Sequence, residues 1–193
     1  MINRLKNILR GRAQSGFTLI ETLVAVLILA IAIAGPLTIA SKGLQAALVS
    51  KDQVTAFYLA QDAVEYVRYK RDTACLTAGV SPCSNATWLG SGVNSLSLCT
   101  GATCYIDSRA DTIVNVVPPG CSSNLRYNAN NYYFTYISGA SVTCSPYNRT
   151  VRIQTPLDGN ADEANLTVSV SWIDTAGVTH APVTVTETLF NWQ

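Results

Sequence analysis

Gly16, Phe17 and Glu21 are the residues where chemistry concentrates in this chain. Gly16 closes a leader that carries Arg4, Lys6, Arg10 and Arg12 and no acid, and it runs straight into Phe17–Ala40, 24 residues whose single charge is Glu21. A secretory signal peptide has its cleavage site after the apolar region, behind small residues, so the apolar segment is discarded. Here the glycine comes first. A cut between Gly16 and Phe17 would keep the apolar stretch as a new N-terminus. Glu21 would then lie one helical turn from the free α-amine, where a carboxylate also suits the positive end of the helix dipole. A carboxylate in a bilayer costs about 2.5–3.5 kcal/mol on insertion scales, and residues retained at that cost are usually functional. The alternative is a carboxyl that snorkels to the interface or stays protonated.

Six cysteines, Cys75, Cys83, Cys99, Cys104, Cys121 and Cys144, all follow the apolar segment. An even number confined to one side of it reads as a disulfide framework in an oxidising compartment, and six cysteines admit fifteen pairings. The short separations favour sequential pairing, 75–83, 99–104 and 121–144, although spacing alone does not fix connectivity. Zinc is disfavoured because the sequence has no CxxC and a single histidine, His180. Asp158, Asn160 and Asp162 alternate as calcium ligands do, but an EF-hand loop would place glycine where Glu163 stands and a bidentate glutamate where Ser169 stands. A polar hairpin loop is the preferred reading. His180 has no GxSxG elbow or acid cluster to work with, so neither catalysis nor a cofactor is expected. Tyr127, Tyr132, Tyr133, Phe134 and Tyr136, with Tyr105 and Tyr147 nearby, read as strand aromatics used in core and subunit contacts. An exposed tyrosine patch for a partner is the alternative.

The elements that must position these residues follow from charge and periodicity. The positive leader would stay cytoplasmic, leaving the C-terminal bulk outside, and the apolar stretch exceeds the roughly 20 residues a membrane span needs. Removing residues 1–16 takes away four basic groups and moves the formal charge from +1 to −3. No nucleic-acid surface is expected on that balance, and the trio Arg68, Lys70 and Arg71 instead suits a helix C-terminus. Gly35-Pro36 interrupts the helical pattern and predicts a kink without ending the helix. Beyond it Leu44, Ala47, Leu48, Val54, Phe57, Leu59, Val64 and Val67 recur at mostly three- and four-residue steps, predicting a helix from Phe17 to Arg71, about 80 Å long.

Residues 72–119 are rich in Ser, Thr, Gly and Asn and predict irregular loop with one short strand at Ile113–Val117. Tyr132–Ser138, Arg149–Thr155, Leu166–Ile173 and Val183–Phe190 are β-branched and aromatic, and predict one antiparallel meander half-buried against the helix. Loops are expected at Pro156–Ala164 and Thr175–Gly177. The organisation read from this is a leader at 1–16, a membrane and assembly helix at 17–40, an amphipathic continuation at 41–72, and a head at 73–193. The fold class is α+β.

Gly16-Phe17-Thr18-Leu19-Ile20-Glu21 closely resembles the class III signal of type IV pilins and pseudopilins. That resemblance implies cleavage after Gly16 by prepilin peptidase, N-methylation of Phe17, and a Glu21 that attracts the N-terminal amine of a neighbouring subunit and sets register. Tyr58–Arg68 with Lys70-Arg71-Asp72, and the closing Val183–Trp192, look like the post-membrane helix and last strand of PilV-type minor pilins and I-type pseudopilins of type II secretion. Thr73–Val151 is unmatched. The implied protein is a structural subunit that is no enzyme. It rests as a single-pass protein in the inner membrane, meets an assembly platform there, and joins other pilins in a filament that displays a periplasmic or extracellular head. Some pseudopilins bind calcium in a C-terminal loop, which keeps Asp158, Asn160 and Asp162 in view. A membrane-anchored binding module or adhesin outside any filament is the alternative.

Overall fold

The computed structural model describes residues 16–78, 88–155, 159–175 and 177–191. Two compact units divide between Ala47 and Leu48. Helix α1, Leu19–Ala78, runs 60 residues and contributes to both. It begins two residues later than the sequence predicts because Thr18 caps it. The Glu21 N–H reaches the Thr18 hydroxyl at 3.3 Å and its carbonyl at 3.0 Å, leaving Phe17 and Thr18 outside the helix. It also ends later than Arg71. Asp72–Ala78 contains neither glycine nor proline, and Arg71 pairs with Asp72 at 2.8 Å. Nothing local stops the helix there.

In the first unit α1 is exposed on every side, with Leu19 82 % and Ile39 75 % accessible. A helix apolar all round is one that some other apolar medium must cover. It is long and apolar enough to cross a membrane. Its hydroxyls are satisfied within the helix, Thr22 on the Leu19 carbonyl, Thr38 on Ala34 and Ser41 on Thr38, as burial in an apolar medium requires. The helix continues through Gly35 and Pro36, the proline withholding one N–H from the Ala32 carbonyl.

In the second unit α1 buries one stripe: Ala56, Leu59, Ala60, Ala63, Val64 and Val67. Val54 and Phe57, expected on that stripe, are exposed. The correction lies in the alanines, which carry little hydropathy but, being small, let the helix approach closely. The opposing surface is an antiparallel sheet of β6 (Tyr147–Gln154), β7 (Glu163–Trp172) and β8 (Val183–Phe190), in that order. Period-two alternation turns Val151, Ile153, Leu166, Val168, Val170, Trp172 and Leu189 inward. Each such aliphatic side chain contributes roughly 1.5–3 kcal/mol on burial. The loop after β6 is shorter than predicted, since Glu163 and Ala164 already belong to β7.

The sequence predicts one meander, whereas the strands among the described residues form three separate sheets. Hairpin β1 (Tyr105–Asp107) and β2 (Thr112–Val114) lies in the stretch read as loop. Strand β2 stops at Val114 rather than Val117, because Val116 and Val117 are exposed and precede two prolines that cannot extend a ladder. A third sheet orders β4 (Tyr133–Thr135), β3 (Arg126–Asn128) and β5 (Val142–Cys144), so the Tyr132–Ser138 segment pairs here and not with β6. Asn128 accepts the N–H groups of Asn130 and Asn131 and closes the β3–β4 turn. The layout is α+β and pilin-like: one long N-terminal helix, then antiparallel sheets, with disulfides.

Candidate functional site

Gly16 and Phe17 form an exposed, non-helical lead into α1, Phe17 being 78 % accessible. A Cβ at Gly16 would meet open space, so packing does not demand glycine there. Thr18 and Glu21 hold the N-cap and third helical positions, the spacing of a capping box.

The second unit centres on a buried guanidinium. Arg149 of β6 is 2 % exposed and shares the inward face with Val151 and Ile153. Its Nη1 donates to the Leu59 carbonyl at 2.9 Å and to Asp62 Oδ2 at 2.6 Å, and its Nη2 donates to the Ile106 carbonyl at 2.6 Å. Nε has no partner. Asp62 is half-exposed and also accepts the Ser108 hydroxyl at 2.7 Å. Next to it Asp107, 2 % exposed, accepts from the Thr135 hydroxyl, from the Tyr136 N–H, and from the N–H groups of Arg109 and Ala110. These contacts join α1, β1, β4 and β6.

Further polar ties run along α1. The Lys70 ammonium, hydrogen-bonded to Asp111 at 2.8 Å, and the Tyr66 hydroxyl, also donating at 2.8 Å, hold the Asp111 carboxyl below its ordinary range. Arg68 pairs with Glu65 at 2.9 Å and, across to β8, with Glu187 at 2.8 Å. Tyr147 donates to Asp52 at 3.0 Å, and Tyr136 donates to the Arg149 carbonyl at 2.8 Å. Burial pushes both phenols up to about 12.

Residues 11–35 match the family described as the prokaryotic N-terminal methylation motif. No curated protein and no solved structure matches the chain. The motif is the class III signal of type IV pilin-like substrates of prepilin peptidase, and Gly16, Phe17 and Glu21 all lie within the matched span. It implies processing by that peptidase, assembly with other pilins, and membrane anchoring beforehand.

The remaining sequence candidates take structural positions. Disulfides join Cys99 to Cys104 and Cys121 to Cys144, and the 75–83 pairing lies outside the described residues. Cys99 and Cys104 are fully buried against the outer edge of β6, where Cys104 bridges Val151. The second disulfide sits at a strained corner. Cys121, Ser122 and Ser123 have φ of 48°, 49° and 67°, a conformation costing roughly 1–2 kcal/mol at each non-glycine residue. Of the calcium candidates, Asp158 lies outside the described residues. Asn160 donates to Glu163 at 2.9 Å, and Asp162 accepts from the Asn191 side chain at 3.0 Å and pins the end of β8. Among the described residues no three His, Cys, Asp or Glu side chains group as a metal site would. His180 stacks on Trp172 at 5.4 Å and meets Asp174 at 3.0 Å, stapling the β7–β8 turn. Of the tyrosines, Tyr147 and Tyr136 pack inward, Tyr127 and Tyr133 are half-buried, and Tyr132 is 80 % exposed.

Sequence reasoning passed over Arg149 and Asp107. For Arg149 a signal existed, since it occupies the apolar phase of an otherwise clean alternation. For Asp107 none did, because its partners come from β4 and the β1–β2 turn.

Asp62→Ala is expected to destabilise the second unit by about 2 kcal/mol, less than the roughly 3–5 typical of a fully buried pair because Asp62 is half-exposed. Combined with Arg149→Met the loss is expected to fall below the sum of the single losses, measured by denaturant unfolding. The tyrosines set an alkaline limit. Tyr136 and Tyr147 stay protonated when folded up to about 12, whereas unfolded tyrosine ionises near 10, so their contribution is complete below about pH 10 and is lost as pH rises toward 12. Parallel unfolding and phenolate-absorbance titrations are expected to show stability falling across that window, and less steeply in Tyr136→Phe.

Proposed function

We propose that this chain is a minor pilin or pseudopilin, a subunit of a type IV pilus or type II secretion filament that assembles through its N-terminal helix. The observation carrying this reading is the methylation motif at 11–35 continuing into a helix exposed on all sides whose only charge from Phe17 to Ser41 is Glu21. Apolar surface of that extent needs lipid first and neighbouring subunits afterwards.

The division of labour follows. Residues 1–16 are the cytoplasmic leader, 17–40 the membrane and assembly helix, 41–72 its continuation into the head, and 73–193 the exported head. Prepilin peptidase cuts between Gly16 and Phe17, and the new α-amine is methylated. In the bilayer Glu21 offers a carboxylate whose desolvation a neighbour's N-terminal ammonium offsets, so the charge pair selects one axial register between subunits. The assembly platform of the inner membrane takes the processed chain into the filament. The buried stripe on α1 and the Arg149 contacts fasten the head to the part of the helix that lies in the second unit. No residue here is assigned to catalysis or to a cofactor.

Two experiments test the reading. The mature protein is expected to start at a methylated Phe17 by intact-mass and N-terminal analysis; an N-terminus at Met1 would favour the membrane-anchored binding module instead. Glu21→Val is expected to insert into the membrane as well as wild type or better, since it removes the charge, while its recovery in sheared filaments falls at least tenfold. Undiminished recovery in a strain lacking the native copy would refute the pairing role.

A further inference from the structure

We propose that the Cys121–Cys144 disulfide is a thiol-exchange site, at which an external thiolate attacks Cys144 and Cys121 departs. Three independent features of this corner lead to that assignment. The first is access. Cys144 is exposed and Cys121 half-buried, whereas Cys99 and Cys104 are both 0 % exposed in the core. A thiolate in solution therefore reaches one disulfide and not the other, and within that disulfide it reaches Cys144 more readily.

The second feature is the leaving group. The Arg126 Nε–H donates to Cys121 Sγ at 3.3 Å. The guanidinium is fixed in that position by its other two nitrogens, Nη1 on the Tyr136 carbonyl at 3.0 Å and Nη2 on the Pro119 carbonyl at 2.7 Å. Both are neutral acceptors, and among the described residues no carboxylate pairs with Arg126 to cancel the positive charge beside Sγ. A permanent cation beside sulfur lowers the pKa of the thiol that forms there, and a lower leaving-group pKa speeds exchange. Gly120 is part of the same arrangement. Its φ is +77°, and a Cβ there would collide with the Arg126 guanidinium, so glycine is what lets the cation close over the turn.

The third feature is the backbone. Cys121, Ser122 and Ser123 are three successive non-glycine residues at positive φ, and Cys144 lies directly across the β3–β5 ladder from Arg126. Releasing Cys121 lets this turn relax while the ladder still holds Cys144 in place. Strained, exposed disulfides are the labile ones.

The step balances as simple displacement. The thiolate R–S⁻ forms a bond to Cys144 Sγ, the Cys121–Cys144 bond breaks, and its electron pair leaves on Cys121 Sγ, where Arg126 faces it. A monothiol first gives the mixed disulfide on Cys144, which persists until a second thiolate displaces Cys144 or the Cys121 thiolate returns and expels the monothiol. A dithiol goes on, its second thiolate displacing Cys144, so that the dithiol is oxidised and both cysteines of the chain are reduced.

Full-length protein in detergent, treated with reduced glutathione, acid-quenched, alkylated and mapped by peptide mass spectrometry, tests this directly. Glutathione is expected on Cys144 and the alkyl group on Cys121, with Cys99–Cys104 intact when half of the other disulfide has opened. Glutathione on Cys121, or equal opening of the two disulfides, would overturn the proposal without reference to any variant. Arg126→Gln is expected to slow opening about tenfold, and Gly120→Ala to slow it through displacement of the guanidinium; unchanged rates in both would remove Arg126 from the mechanism and overturn the assignment of the leaving group. A parallel arm with a CxxC dithiol protein at matched thiolate concentration identifies the source: faster opening than by glutathione points to a protein partner, equal rates to small thiols.

Discussion

The second unit is organised around one expensive charge. Placing Arg149 in a core of valine, leucine and alanine costs several kcal/mol in lost hydration, which only well-aligned acceptors offset. Those acceptors come from two places: the Leu59 carbonyl and Asp62 on α1, and the Ile106 carbonyl on β1. None of these elements can shift without stranding the guanidinium. Apolar packing of α1 on the sheet tolerates small slips, because dispersion and burial are not directional. Three charge-assisted hydrogen bonds do not, since their geometry is narrow. Arg149 thus supplies the directionality that the alanine stripe lacks.

The same helix meets two kinds of demand. From Leu19 to Ser41 it presents apolar side chains in every direction and one carboxylate, so nothing within that stretch selects a face. From Ala56 to Val67 the burial follows a single stripe, and the outer side carries Glu65, Tyr58 and Gln61. The first pattern suits lipid and a ring of neighbours; the second suits one sheet. What separates them is composition along one continuous α-helix, and the register of the stripe fixes which residues of the helix face solvent.

The small sheets have a different economy. Strands of three residues bury little and cannot hold register by apolar alternation alone. Their positions are set instead by point contacts: Asp107 on Thr135 and Tyr136, Asn128 on its turn, and Arg126 on Pro119, Tyr136 and Cys121. Disulfide Cys121–Cys144 adds the covalent tie at the same corner. Backbone strain is tolerated where such contacts outnumber the residues they fix.

How much of this was legible in the sequence divides along the range of the interactions. The glycine before the apolar run, Glu21, the long helix and strands β6 to β8 are local patterns of charge and periodicity, readable one window at a time. Even there, alanine carries so weak a hydropathy signal that Val54 and Phe57 stood in for Ala56, Ala60 and Ala63. What only the tertiary structure decided is the work of residues far apart in the chain: Arg149 meeting Asp62, Asp107 meeting Thr135, Arg68 reaching Glu187, and the three-residue strands that form separate sheets. A buried polar group is fixed by the partners that satisfy it, and no local pattern names a partner that arrives only when the chain has folded.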